Sequence, residues 1–163
     1  MPFITDSALA ELPLLFNLLC ATLFGGLIGL NRQLHHRPAG LRTHALTALA
    51  AALAITVIQQ LQPATADAAS RVAQGVLTGI GFIGAGVIVH HERRYRVEGL
   101  TTAATIWVSS MLGLACGTGH VLTAAIGLVL TLLILVLGNR LEQRLAGRGP
   151  NDDVSLTDDD KPN

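Results

Sequence analysis

Charged residues are scarce in this sequence. Asp, Glu, Lys and Arg make up 13% of the 163 residues, against roughly 25% in soluble domains. The formal net charge is zero, so the surplus of basic residues expected of a nucleic-acid-binding protein is missing. Aromatic residues are also few, at 4%. The composition therefore indicates a membrane protein and gives no reason to expect a nucleic-acid partner.

Cysteine is nearly absent, and the N-terminus lacks positive charge. Cys20 and Cys116 both lie in apolar runs, where cysteine usually behaves as a small hydrophobic residue. A cleavable signal peptide would have a positive segment before its apolar core. Here Asp6 and Glu11 precede the first apolar run, and the first positive residue, Arg32, follows it. We expect neither a disulfide nor a cleavable signal peptide.

Long uncharged runs are what the sequence has in abundance. Each is close to the roughly 20 residues that cross the hydrocarbon core of a bilayer. Because backbone polar groups in lipid must be bonded internally, such runs form helices. We predict an all-α polytopic membrane protein with a transmembrane domain over residues 1–140 and a disordered cytoplasmic tail over 141–163. The predicted spans cover residues 12–30, 43–61, 72–90, 101–117 and 121–138.

The positive residues predict how the chain is oriented. Except for Arg71, every Lys and Arg lies in the segments 31–42, 91–99 or 139–163. With five spans, these three segments fall on one side of the membrane, and the side rich in Lys and Arg faces the cytoplasm. We therefore predict an external N-terminus and a cytoplasmic C-terminus.

The third run is rich in glycine. Gly79 to Gly84 matches the GxGxxG pattern of dinucleotide-binding loops, but that pattern needs a preceding strand and a following helix. Here it lies within an uninterrupted apolar run, where glycine is more typical of close helix packing. The residues that we predict to pack helices together are Gly25, Gly29, Gly75, Gly79, Gly81, Gly84, Gly86, Ser109 and Gly113.

Polar residues gather at the ends of the predicted spans, and no Asp, Glu, Lys or Arg lies in the middle of one. Ion pumps and coupled transporters usually place ionisable groups at membrane depth. Simpler interpretations are also open, because long arginine side chains anchor helices at the interface and threonine caps helix starts. The candidates for a functional face are Arg42, Thr43, His44, Glu98, Thr101 and Thr102 on the cytoplasmic side, and Arg71, Gln74 and Thr78 on one face of the third span.

Metal sites and catalytic motifs are not indicated. In each of the pairs His35–His36 and His90–His91, helical geometry would point the two side chains about 100° apart. Magnesium in any case prefers oxygen ligands, and the run Asp158–Asp160 is typical of a solvated tail. There is no nucleophile elbow and no zinc-protease motif. We expect no metal, no cofactor and no enzymatic activity.

Three blocks of the sequence resemble the MgtC/SapB family. AGLRTH at 39–44, TGIGFIGAG at 78–86 and GLTTAATIW at 99–107 are similar to that family's AGLRTH, (S/T)GIGFLGAG and GLxTAAxxW segments, in the same order. The chain departs from the family at Asn31, where relatives usually have Glu. Relatives commonly have an acidic residue shortly before the third span. Asp67 is the candidate in this chain, but its spacing from Arg71 differs by one position from the family pattern.

The resemblance implies a multi-pass protein of the bacterial inner membrane that is linked to growth at low magnesium and, in some relatives, to virulence and survival inside macrophages. Some relatives are proposed to act by binding membrane proteins, including the ATP synthase, and homo-oligomers are possible. Many also carry a soluble ACT-like C-terminal domain, which we do not expect here. The resemblance therefore favours a regulatory or adaptor protein in the lipid bilayer. The alternative is a small transporter or channel for Mg²⁺ or another cation, built from polar side chains and broken glycine-rich helices.

Overall fold

Helices make up most of the structure. The computed structural model describes residues 3–61, 66–91 and 96–146. Two short strands separate the third helix from the fourth. In chain order the elements are α1 (Phe3–Leu34), α2 (Leu41–Leu61), α3 (Ala66–Gly86), β1 (Val89–His91), β2 (Arg96–Glu98), α4 (Leu100–Gly117) and α5 (Val121–Ala146).

Four of the helices are long and apolar enough to cross a membrane. They provide the candidate spans Glu11–Leu34, Leu41–Leu61, Leu100–Gly117 and Val121–Leu141, which confirms the predicted helical, multi-pass character of the chain. α3 is not among them, because its glycines and polar residues lower its mean hydropathy. A fifth crossing and the predicted orientation stay predictions.

Small residues let the helices approach one another closely. A Cβ added to Gly29 on α1 would lie 2.6 Å from the carbonyl oxygen of Gly40, just before α2, and one added to Gly25 would meet the backbone of His44. On α4, Gly113 faces the backbone of Ala48 in the same way. Lipid supplies no hydrophobic force between helices, so such backbone contact is a main source of stability.

α4 lies in the middle of the bundle and contacts all four other helices, and α2 packs against α1, α3 and α4. The core contains the fully buried Ile28, Ile55 and Ile106, and the two cysteines are free thiols buried in it. On the outside, α1 and α5 expose rows of leucine and isoleucine, and Ile134 is 71% exposed. Exposed apolar surface on this scale is expected where lipid replaces water.

A β-hairpin connects α3 to α4, where the sequence predicts the end of a span and a basic loop. α3 ends at Gly86, and β1 then pairs antiparallel with β2, with Val89 opposite Glu98. Gly99 follows with a φ of +93°, which glycine adopts without strain. A side chain there would collide with the carbonyl of Val87. The hairpin and this glycine thus return the chain directly into α4.

α5 begins as predicted but is longer than predicted. The preceding turn contains Gly119 with a φ of +84°. The helix continues to Ala146, past the predicted end of the span at Gly138. The rest of the predicted tail, from residue 147, lies outside the described residues, as do Arg93 and Arg94 of the predicted basic loop.

Candidate functional site

A buried arginine lies at the end of the first helix. Arg32 is in the last turn of α1, and only 6% of it is exposed. Its Nη2 atom donates a hydrogen bond of 2.9 Å to the Oγ1 of Thr102, in the first turn of α4. The Nε atom is buried and has no partner among the described residues. Because a buried charge is costly unless it is hydrogen-bonded, the Thr102 hydroxyl is important for holding Arg32 in place.

A buried histidine lies beside it, on the second helix. His44 is fully buried, and its Nδ1 donates to the carbonyl of Gly40 at 2.9 Å. Its Nε2 lies 3.0 Å from the Oγ1 of Thr105, and that hydroxyl can donate to the carbonyl of Thr102 at 2.8 Å. Since a hydroxyl has a single proton, Thr105 donates either to neutral His44 or to the Thr102 carbonyl. The two alternatives differ in where one proton lies.

These four side chains, which we call the polar cluster (Arg32, His44, Thr102 and Thr105), join three helix ends. Arg32 comes from the end of α1, His44 from the first turn of α2, and the two threonines from the start of α4. The glycines at 25 and 29 bring α1 against the start of α2, which places the four groups within hydrogen-bond distance. The geometry is that of a polar link buried between helices.

The structure brings together only some of the predicted site residues. His44 and Thr102 belong to the polar cluster. Thr43 is half-buried, and its carbonyl accepts a hydrogen bond from Thr47. The remaining members of the predicted cytoplasmic face, Arg42, Glu98 and Thr101, are exposed beside the cluster residues in the chain.

The second predicted group extends along α3 from its N-terminal part to its middle. Arg71 is exposed and forms an ion pair of 3.0 Å with Asp67, one turn away on α3. Thr78 donates to the carbonyl of Gln74 at 2.8 Å, and both residues are exposed. About 22 Å of helix separates Arg71 from Gly86, at 1.5 Å per residue. The two predicted groups therefore lie apart in the structure, and their function stays a prediction.

The predicted packing glycines also divide into two sets. Gly25, Gly29 and Gly113 lie against the backbone of neighbouring helices. Ser109 is fully buried. A Cβ added to Gly84 would lie 3.6 Å from the Cβ of Ala103. In contrast, a Cβ added to any of four glycines on α3 would meet no atom of the described residues within 4 Å. This second set consists of Gly75, Gly79, Gly81 and Gly86.

Sequence reasoning missed Arg32 and Thr105. Arg32 was grouped with the positive residues of a loop, although the helix continues past it to Leu34. The contact that buries it comes from a residue 70 positions away, and no local pattern encodes such a distance. Thr105 lies in an uncharged run, and the one available signal was its spacing of three residues from Thr102 on a helix.

Buried polar groups continue along the contact between α2 and α4. Thr56 donates to the carbonyl of Gly117 at 3.3 Å, and Ser109 is fully buried with its hydroxyl unpaired among the described residues. Between these points the backbone of Gly113 touches that of Ala48. The described residues contain no group of three or more His, Cys, Asp or Glu side chains that could hold a metal ion. We call this contact between α2 and α4, with its buried hydroxyl groups and touching backbones, the polar seam.

The fold and the polar cluster define a helical multi-pass membrane protein whose helix ends are joined by buried hydrogen bonds. A model of the MgtC family matches residues 18–144. The chain belongs to the MgtC family.

Named relatives agree with this assignment. Protein SrpB of Synechococcus elongatus is 46% identical over 145 residues, which covers 83% of this chain and 79% of SrpB. Protein MgtC of Salmonella typhimurium is 41% identical over 133 residues, covering 82% of this chain but 55% of MgtC. For protein MgtC of Brucella abortus the identity is 41%, over 77% of this chain and 51% of the relative. The chain thus spans about half the length of these MgtC proteins. No solved structure gives a significant match.

Proposed function

We propose that this chain is a regulatory or adaptor protein of the bacterial inner membrane that acts in adaptation to low magnesium through membrane protein partners. Its likeness to MgtC over most of the chain supports the proposal. The observation that carries it is the polar cluster. The cluster joins the ends of three helices by hydrogen bonds. It thereby fixes the position of exposed residues that lie next to it in the chain.

Those neighbours form a surface suited to recognition. Arg42 precedes the buried His44 by two residues, and Thr101 directly precedes the buried Thr102. Arg42 and Thr101 are exposed, while the side chains that fix their helices are buried. A charged and a hydroxyl group on rigid helix starts can bind a partner with little loss of conformational entropy. In the predicted orientation this surface faces the cytoplasm.

A small cation transporter is less well supported. Such a protein needs a polar path that an ion can enter. The buried hydroxyls of Thr56 and Ser109 lie along the seam between α2 and α4, but Gly113 and Gly117 bring the two backbones into contact there. The seam therefore favours helix association over ion conduction.

Growth of a deletion strain across a magnesium series tests the proposed role. We expect a defect confined to low magnesium, rescued by the wild-type gene and not by the double variant Arg42→Ala/Thr101→Ala. Arg37→Ala is the matched control, because Arg37 is an exposed arginine just before the same helix, and it should rescue fully.

Immunoblots of membranes must show equal amounts of each variant. Full rescue by the double variant would show that the surface formed by Arg42 and Thr101 is not needed for growth at low magnesium. A deletion strain that grows normally at every magnesium concentration would overturn the low-magnesium role itself.

A further inference from the structure

One face of α3 is not covered by any of the residues that the structure describes. Its inner side packs against α2 and α4, where Val72 and Val76 contact the cluster around Ile55 and Leu114. The outer side is exposed along its length, and we call it the open face. It consists of Arg71, Gly75, Thr78, Gly79, Phe82 and Gly86, which fall within a sector of about 100° at 100° per residue.

Lipid is a poor cover for this face. Arg71 is charged, and ionisable residues in membrane helices almost always face protein or water. The three glycines expose backbone that a neighbouring helix can approach closely. The other outward surfaces, on α1 and α5, carry leucine and isoleucine instead. The open face thus differs in composition from the surfaces that suit lipid.

The shape of the open face matches itself. Phe82 is 84% exposed and forms a knob. Gly79 lies about one turn before it and Gly86 about one turn after it, and both have open space where a side chain would stand. The Phe82 side chain (the knob) and the open space over Gly79 and Gly86 (the groove) therefore lie side by side at the same height along α3. Two copies inserted in the same direction and related by a two-fold axis along the membrane normal would each place Phe82 between the Gly79 and Gly86 of the other.

The charged residues at one end of α3 are also complementary to those of a second copy. Arg71 and Asp67 form an exposed ion pair one turn apart at one end of the helix. In a parallel pair, the arginine of each copy comes within reach of the aspartate of the other. A surface that carries both halves of each contact is what a two-fold interface requires.

We propose that a second copy of this chain packs on the open face, forming a parallel two-fold pair of α3 helices. The pair uses Phe82 as the knob, Gly79 and Gly86 as the groove, and Arg71 with Asp67 at one end. This proposal does not depend on the low-magnesium role, because the polar cluster lies elsewhere.

Cysteine cross-linking in native membranes tests it. Thr78→Cys places a thiol on the open face, and oxidation should give a disulfide-linked dimer. Ile83→Cys is the control, since Ile83 is exposed on the same helix but about 100° around it from Phe82, and should not cross-link. The native cysteines are buried, so the wild-type protein shows how much cross-linking occurs without an introduced cysteine.

A second pair of variants tests the groove. Gly79→Leu, combined with Thr78→Cys, should abolish the cross-link. Gly81→Leu should leave it intact, because Gly81 lies outside the sector of the open face. Among the described residues, neither glycine has a neighbour within 4 Å of an added Cβ, and equal amounts of both variants in the membrane would confirm that a single chain still folds.

Four results would overturn the proposal. The first is a chain that is monomeric in lipid bilayers by single-molecule photobleaching. The second is a cross-link through Ile83→Cys but not through Thr78→Cys. The third is equal loss with both leucine variants. The fourth is cross-linking of Thr78→Cys to a different protein instead of a second copy.

Discussion

At the scale of single residues, the Thr102 hydroxyl holds a buried charge in place. It accepts a hydrogen bond from Arg32, whose side chain is almost entirely buried and forms no other hydrogen bond among the described residues. Thr101, the preceding residue, is exposed. Adjacent threonines thus occupy opposite environments, and they provide a matched experiment.

Thr102→Val should lower the stability of the purified protein. The substitution keeps the shape of the side chain but removes the acceptor from a buried guanidinium, and hydrogen bonds to charged groups contribute about 1.5–3 kcal/mol. We expect a lower midpoint of thermal unfolding in detergent. Thr101→Val, on the exposed side, should change stability by no more than about 0.5 kcal/mol. Equal effects of the two substitutions would show that the bond to Arg32 contributes little.

At the scale of helices, glycine has two distinct uses. On α1 and α4 it lets backbones touch within one chain, as at Gly29 and Gly113. On α3 it leaves open space around Gly75 and Gly79. The same residue type in the same kind of helix therefore serves internal packing in one place and an external surface in another.

Gly113→Ala should destabilise the bundle, because a Cβ at that position collides with the backbone of Ala48 and pushes α2 away from α4. Overpacking of this kind costs typically about 1–3 kcal/mol. Gly138→Ala, on α5, is the control, since an added Cβ there meets nothing within 4 Å. Alanine is also the better helix former, so the control should be neutral or slightly stabilising.

The two variants are compared by yield of folded protein and by thermal unfolding in detergent. If Gly113→Ala unfolds at the same temperature as wild type, the contact between α2 and α4 can relax without cost, and the polar seam does not determine stability.

The sequence predicts these elements unevenly, for physical reasons. The apolar runs locate four membrane helices because hydropathy and length are local properties. The hairpin was missed because β1 contains Val89 and two histidines directly after an apolar run, so it reads as the end of a span. The partner of Arg32 was missed because Thr102 is distant in sequence. Even where the sequence named His44 and Thr102, it could not show that they lie in one cluster.

At the scale of the whole molecule, the path of α3 decides the topology. Val72 and Val76 pack near Leu114, while Gly84 lies against Ala103. α3 therefore runs antiparallel along much of α4, which has the length of a membrane span. A fifth crossing by α3 stays a prediction, because the mean hydropathy of α3 is lower than that of the four candidate spans.

Labelling of introduced cysteines with a membrane-impermeant maleimide tests this topology. In intact spheroplasts, Ser70→Cys at the start of α3 should react. His36→Cys, between α1 and α2, and Leu100→Cys, at the start of α4, should react only after the membrane is permeabilised. If Leu100→Cys reacts together with Ser70→Cys in intact cells, α3 does not cross the membrane, and the prediction of five spans is wrong.

The bond between Arg32 and Thr102 also sets an order of assembly during synthesis. Arg32 leaves the ribosome long before α4 does, so for most of translation its guanidinium has no hydroxyl to bind. Burial of such a charge without its partner is costly, and the end of α1 must stay in contact with water or lipid headgroups until α4 is inserted. We therefore expect the first helix of this protein to reach its final depth only after the fourth is inserted.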